Sequence, residues 1–206
     1  MNTSSSKRLI SVLSTKRIEA LTDGVFAIAM TLLVLNLEIP AIPEGAAAKV
    51  LPKLVLDLWP DFFSYALSFI LLAKFWIVQH RQFHFIKAID QRLLWINLLG
   101  LVFIALIPFS TSLIAEHGHV QVAAVFFHCN LLVIGSIFYI HWSYATGKGH
   151  LIDPDLSAQT ILLNKRRNLV TPTISLVCIG LSFLTPDWSE IPYFAIPFIM
   201  AKYRRR

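Results

Sequence analysis

Residues 17–35 run Arg17-Ile18-Glu19-Ala20-Leu21-Thr22-Asp23-Gly24-Val25-Phe26-Ala27-Ile28-Ala29-Met30-Thr31-Leu32-Leu33-Val34-Leu35. After Asp23 the only side chain in this run with a hydrogen-bonding group is Thr31. A helix needs about 20 apolar residues to cross a bilayer, and Ala20–Ile39 supplies them. Ile28, Thr31, Leu32 and Leu35 fall at i, i+3, i+4 and i+7, which is one face of a helix. A stripe of this kind ordinarily packs against a neighbouring helix, and a membrane Thr commonly bonds back to its own backbone. The sharper reading is a pore wall, in which Ile and Leu form a constriction that excludes water and Thr supplies oxygens to a partly dehydrated cation.

Working outward, five more apolar stretches follow: Asp61–Val78, Leu93–Ala115, Val122–Ala145, Leu169–Thr185 and a short Ile191–Ala201 containing Pro192 and Pro197. Pro108 is expected to kink the third; Pro172 is expected in the first turns of the fifth, where a missing N–H costs little. The chain of 206 residues is 56% hydrophobic and only 15% charged, against about 25% charged in soluble domains. Its mean hydropathy is +0.65. This composition excludes an ordinary soluble enzyme and a disordered chain. The expected fold is all-α and polytopic, with six transmembrane helices in residues 20–201, an N-terminal cytoplasmic tail over 1–19 and a basic cytoplasmic tail over 202–206.

Charge tests that layout. With the N-terminus inside and the spans alternating, the inner segments hold all of the 18 Lys and Arg residues except Lys49, Lys53 and Lys74. Glu38, Glu44, Asp57, Asp61, Glu116, Asp187 and Glu190 fall outside. Basic residues concentrate on the cytoplasmic side of membrane proteins, so both ends are expected inside. The same bias accounts for the net charge of +6 without nucleic acid. The 39–60 connection is a candidate for a short interfacial helix. The 146–168 connection is read as a loop, whose Lys165-Arg166-Arg167 cluster anchors a helix end at lipid headgroups. Cys129 and Cys178 stand alone in apolar runs and read as small packing residues, with a disulfide or metal pair as the alternative. No GxGxxG, P-loop or HExxH is present, and no loop has room for a catalytic lobe.

Polar groups within the spans call for an explanation. Arg17 and Asp23 are six residues apart and on different faces, so each is expected to meet a partner on another helix or subunit. Glu19 reads as an acid favoured at a helix N-terminus, and Asp23 as part of a buried network. His80 and His84, at i and i+4, have the spacing of a metal pair but no third ligand. His117 and His119 are expected to meet water. His128 and His141 are either proton-sensitive or simply hydrogen-bonded. Lys74 is expected to snorkel or to pair with a carboxylate.

The segment Arg17-Ile18-Glu19-Ala20-Leu21-Thr22-Asp23 resembles the R-x-x-x-F-S-D signature that opens the first helix of the lysosomal potassium channel family, transmembrane protein 175. Leu21 stands where the family has Phe, and Thr22 where it has Ser. The resemblance extends through Gly24–Leu35, Phe75-Trp76 with His80-Arg81, and Leu93-Leu94-Trp95-Ile96-Asn97-Leu98 followed by Pro108-Phe109. It implies a six-helix subunit, one repeat per chain, assembled as a homotetramer in the bacterial inner membrane with both termini cytoplasmic. It implies a pore lined by the first helix, with Ile28 at the constriction and Thr31, Leu32 and Leu35 at further pore-facing positions. Arg17, Thr22 and Asp23 would form a supporting network with Trp76, His80 and Asn97.

The function implied is a potassium-permeable cation channel. No TVGYG-type filter occurs, so selectivity of potassium over sodium would be modest and would come from dehydration at the apolar ring and from Thr31 oxygens, near which potassium is expected. No cofactor or structural metal and no enzymatic activity is expected. The partners are monovalent cations, the bilayer and other copies of the chain. Glu38, Glu44, Asp57 and Asp61 either concentrate cations at the outer mouth or form a solvated loop. The alternative is a proton-coupled secondary transporter or proton channel; a carrier would call for inverted repeats, and no second copy of the first helix is found. A membrane-embedded enzyme would need converging His and carboxylate groups, which the spacing does not provide.

Overall fold

The computed structural model describes residues 15–42 and 45–204. Lys7, Arg8, Glu44, Arg205 and Arg206, which entered the charge count, lie outside the described residues. The chain folds as α1 (Thr15–Leu32), a 3-10 turn (Leu33–Asn36), α2 (Ala47–Asp57), α3 (Trp59–Phe85), α4 (Gln91–Ala105), α5 (Ile107–His117), α6 (Gln121–Gly147), α7 (Ala158–Ser182), 3-10 turns at Pro186–Trp188 and Ile191–Phe194, and α8 (Ala195–Arg204). The described residues contain no strand, only an isolated bridge between Ile86 and Ile152. Thr15–Glu19 are helical, so the expected tail at 1–19 gives way to helix at its end.

Helix α1 packs on α3 and α4, and α6 is the central helix, touching α4, α5 and α7. Ile18, Thr22, Phe26, Ala29 and Leu33 are buried, at steps of three or four that define one helical face. Phe26, Ala29 and Leu33 join a core containing Leu71, Phe75, Ile104, Leu131 and Ile134, while Ile18 joins a second cluster of Phe83, Ile86, Leu93 and Leu151 where α3 and α6 end and α4 begins. There the Asp90 carboxylate caps α4 by accepting from the Leu93 N–H at 2.8 Å and also accepts from the Tyr144 hydroxyl at 2.7 Å. Partial burial raises the Asp90 pKa, but those hydrogen bonds outweigh it and leave the carboxyl below its usual range.

Four segments are long and apolar enough to cross a membrane: Thr15–Asn36, Trp59–Phe85, Gln91–His117 and Gln121–Gly147. The third contains the expected break, centred on Leu106, two residues before Pro108. The 39–60 connection holds α2, with exposed apolar residues such as Val55 and Leu56.

The segments expected as the fifth and sixth spans are not among those four, and the fifth differs most from expectation. Helix α7 starts at Ala158 rather than Leu169, with the Ser157 hydroxyl accepting from the Thr160 N–H at 3.2 Å. Lys165, Arg166 and Arg167 therefore lie within a helix and not in a loop. Pro172 is consequently deep in α7 rather than in its first turns. The helix tolerates it because Gly135 of α6 leaves room for the ring: a Cβ at Gly135 would lie 2.7 Å from Pro172 Cδ. Hydropathy misses the first turns of α7 because most of their residues are polar; Trp142 of α6 ties them to the bundle by donating from Nε1 to the Ile161 carbonyl at 3.1 Å.

Candidate functional site

The face of α1 opposite its buried residues is exposed among the described residues. Ile28 is 61% exposed, Leu32 41% and Leu35 67%, and Thr31 lies among them, also exposed. The Thr31 hydroxyl donates to the Ile28 carbonyl at 2.8 Å. Its proton is thereby directed along the helix, and the oxygen lone pairs remain available to a ligand beside the face. The C-terminal end of this helix tightens into the 3-10 turn, and Asn36 Nδ2 donates to the Pro108 carbonyl at 2.9 Å. The break between α4 and α5 therefore serves as an anchor for the end of α1.

Behind the exposed face, polar contacts join α1 to α3 and α4. Trp76 Nε1 donates to Asp23 Oδ1 at 2.8 Å. The Trp76 and His80 rings stack with centroids 5.6 Å apart, and His80 Nδ1 lies 3.6 Å from Glu19 Oε1. Glu19 and Asp23 are four residues apart on α1, and Trp76 and His80 four apart on α3, so the contacts form a ladder between two helix faces. More deeply, Asn97 Nδ2 donates to Thr22 Oγ1 at 3.2 Å, and Asn97 Oδ1 accepts from Gln79 Nε2. Thr22, Gln79 and Asn97 are all buried.

The placements of Asp23, Arg17 and Glu19 differ from those expected. Asp23 is exposed in the subunit rather than buried, held at one oxygen by Trp76. Arg17 is exposed and takes no part in these contacts; six residues from Asp23, it projects from a different face of α1. Glu19, whose position predicts a helix-end acid, faces His80. Gln79 was not singled out, because a lone Gln in an apolar span carries no spacing signal; its place three residues beyond Trp76 could have suggested it.

The other histidines go elsewhere. His128 lies between the Tyr193 hydroxyl, 3.2 Å from Nδ1, and the Ser189 hydroxyl, 2.9 Å from Nε2. His141 Nδ1 is 2.6 Å from Gln82 Oε1. His117 lies 3.8 Å from Glu116, with both side chains exposed. His84 is exposed and packs edge-on against Phe85. Lys74 neither snorkels nor meets a carboxylate: its ammonium donates to the Thr171 hydroxyl and lies 4.6 Å from the centre of the Phe75 ring. Cys129 and Cys178 are free thiols, the latter buried in the core.

The motif segment, the helix break and the intervening residues also match known proteins. The profile of the family described as the endosomal/lysosomal potassium channel TMEM175 matches residues 17–108. A potassium channel of Streptomyces collinus is 30% identical over 174 residues, covering 82% of each chain. The chain belongs to the TMEM175 family. The crystal structure of a lysosomal potassium-selective TMEM175 homologue from Chamaesiphon minutus superposes with a TM-score of 0.76 at 29% identity, over 92% of this chain and 97% of that one. A chicken relative, 30% identical over 142 residues, is an endosomal/lysosomal proton channel TMEM175; the match covers 65% of this chain and 28% of that protein. This member of the TMEM175 family is thus an all-helical, multi-pass membrane protein whose relatives are channels, and it carries the family motif on the helix with the uncovered apolar face.

Proposed function

We propose that the chain is the subunit of a homotetrameric, potassium-permeable cation channel, with α1 of each copy against a central axis. The carrying observation is the face of Ile28, Thr31, Leu32 and Leu35, apolar apart from one hydroxyl and left uncovered by the subunit's own fold. Four such faces around an axis make a water-excluding Ile/Leu constriction beside a ring of Thr oxygens. Potassium loses its hydration shell at lower cost than sodium, so an apolar ring followed by a sparse oxygen layer favours it modestly. The ladder of Glu19, Asp23, Trp76 and His80, with Thr22, Gln79 and Asn97 beneath, supports α1 from behind and sets its rotation. With α7 and the Ile191–Arg204 segment taken as fifth and sixth spans beside the four long apolar segments, the charge bias supports both termini on the cytoplasmic side of a bacterial inner membrane.

The purified chain in liposomes tests this. A potassium gradient alone should drive flux, larger than that of sodium and independent of any coupled ion. A flux that requires a proton gradient would replace the channel with a carrier. The chicken relative's description favours one second reading, that protons also permeate. A pH-sensitive dye inside the same liposomes reads it directly: acidification that tracks the applied potential in the absence of potassium supports proton conduction.

A further inference from the structure

We propose that the cleft between α3, α7 and α8 is a binding site for an anionic phospholipid, with its phosphate at Arg81 and one acyl chain along the apolar wall. The cleft has a volume of about 480 Å³, and its lining combines apolar side chains such as Ile70, Ile77 and Met200 with three cations, Lys74, Arg81 and Arg167, and no carboxylate. Lys74 and Arg81 are seven residues apart on α3, so they share a face about 10 Å apart along the axis. Neither forms an ion pair among the described residues. A concentration of positive charge against an apolar cleft in a membrane helix pair is costly unless an anion compensates it, and basic pockets between spans on the cytoplasmic side suit anionic headgroups.

Depth separates a lipid from a free anion. Arg81 lies four residues from the end of α3, about 6 Å along the helix, which is headgroup depth. From Arg81 to Ile70 is eleven residues, or about 16 Å, close to the roughly 15 Å of hydrocarbon in one leaflet. The cationic end of the cleft thus coincides with the membrane surface and its apolar end with the bilayer centre. A guanidinium offers paired N–H donors that match two oxygens of a phosphate. The Lys74 ammonium, further in, is directed at Thr171, so its stem adds to the apolar wall while its charge adds to the attraction.

The test uses the full chain in phosphatidylcholine vesicles doped with phosphatidylglycerol that carries a photoreactive acyl chain. Mass spectrometry locates the adducts. The expected result is labelling at Ile70, Ile77 or Met200, several-fold above that by photoreactive phosphatidylcholine, and relieved by unlabelled phosphatidylglycerol. Arg81→Gln should reduce the preference for the anionic lipid by about tenfold, and Arg81→Lys should restore part of it, which separates lost charge from lost folding. Ile77→Trp, which fills the wall, should remove the labelling while the protein keeps its elution volume. Equal labelling by the two lipids would overturn the proposal. So would competition by glycerol phosphate as effective as by the lipid, which would mark a bare anion site, or adducts replaced by crosslinks from these residues to a second copy of the chain.

Discussion

Ile28 and Thr31 share one face of α1 and would act in different ways. Replacing Ile28 with Asn puts a hydrogen-bonding group where the proposed constriction excludes water, and the expected outcome is a higher leak in single-channel or liposome-flux recordings. An unchanged conductance would remove Ile28 from the narrowest point. Thr31 has its proton on the Ile28 carbonyl and its lone pairs free. Thr31→Ala removes the hydroxyl together with the γ-methyl; the lost oxygen contact is worth about 0.5–1.5 kcal/mol, so the potassium-over-sodium permeability ratio should fall by roughly 2- to 10-fold. A bi-ionic reversal potential identical to that of the unmodified protein would rule out an oxygen layer there. Glu190 makes a separate prediction. Burial pushes its carboxyl up to about 7, and one of its oxygens has no hydrogen-bond partner. Its pKa in the unfolded chain is about 4.3, so at intermediate pH the folded protein holds a proton that the unfolded chain releases. Stability should therefore be highest below the unfolded pKa and decline as pH rises towards and through 7. Glu190→Gln should flatten that decline and raise stability at pH 8 by on the order of 2 kcal/mol, as read from thermal melts at several pH values. A slope unaffected by the substitution would mean that Glu190 does not titrate in this range.

At the scale of the element, the sequence and the structure agree where a segment is apolar from end to end and part where a helix changes character along its length. Helices α1 and α6 follow directly from hydropathy, and the break at Leu106 follows from Pro108, whose nitrogen has no proton to give the preceding turn. Helix α7 does not follow, because its first eleven residues, Ala158–Asn168, are mostly polar. A window that scores transfer to lipid reads such turns as loop, although a helix that emerges from the membrane keeps its backbone bonds in water. The supporting network was legible in part. The family motif brings Thr22, Asp23, Trp76, His80 and Asn97 to notice, but the participation of Glu19 and Gln79 depends on the rotation of α1 against α3, which no spacing within one segment encodes. The α6–α7 pair offers the element-scale prediction. Gly135 lies where a Cβ would be 2.7 Å from the Pro172 ring, and that ring is rigidly attached to the backbone of α7, so it cannot swing away. Gly135→Ala should therefore force the two helices apart at a cost of about 1–3 kcal/mol, seen as a lower melting temperature. Gly180→Ala, where the added Cβ meets nothing within 4 Å, should leave it unchanged or slightly raised.

For the whole molecule, the fold has two sides that differ in kind. The interior around α6 is closed by long side chains, among them Phe127, Leu131, Ile134 and Trp142, all almost wholly buried. Helix α1 lies at the margin: one of its faces is in that core and the other is exposed among the described residues. Thr31 bonded back to Ile28 is satisfied against lipid as well, so what favours an axis is its place among Ile and Leu on one exposed face and a C-terminal end of the helix fastened to the helix break by Asn36. Both features make sense if the face meets copies of itself around an axis, because then its rotation matters to within a few degrees. Cysteine placement distinguishes these arrangements. With Ile28→Cys, thiols from neighbouring subunits would face one another across a narrow opening, and mild oxidation in the membrane should yield a disulfide-linked dimer on a denaturing gel. Ala29→Cys, one position on, is buried against its own subunit and should remain monomeric under the same oxidation. A water-soluble thiol reagent should reduce flux through the Ile28→Cys protein and not through the Ala29→Cys protein. Linkage at Ala29 in place of Ile28 would mean that α1 is rotated from the proposed orientation. No linkage and no block at either position would place this face against lipid, and the conduction path would then have to run through another part of the assembly.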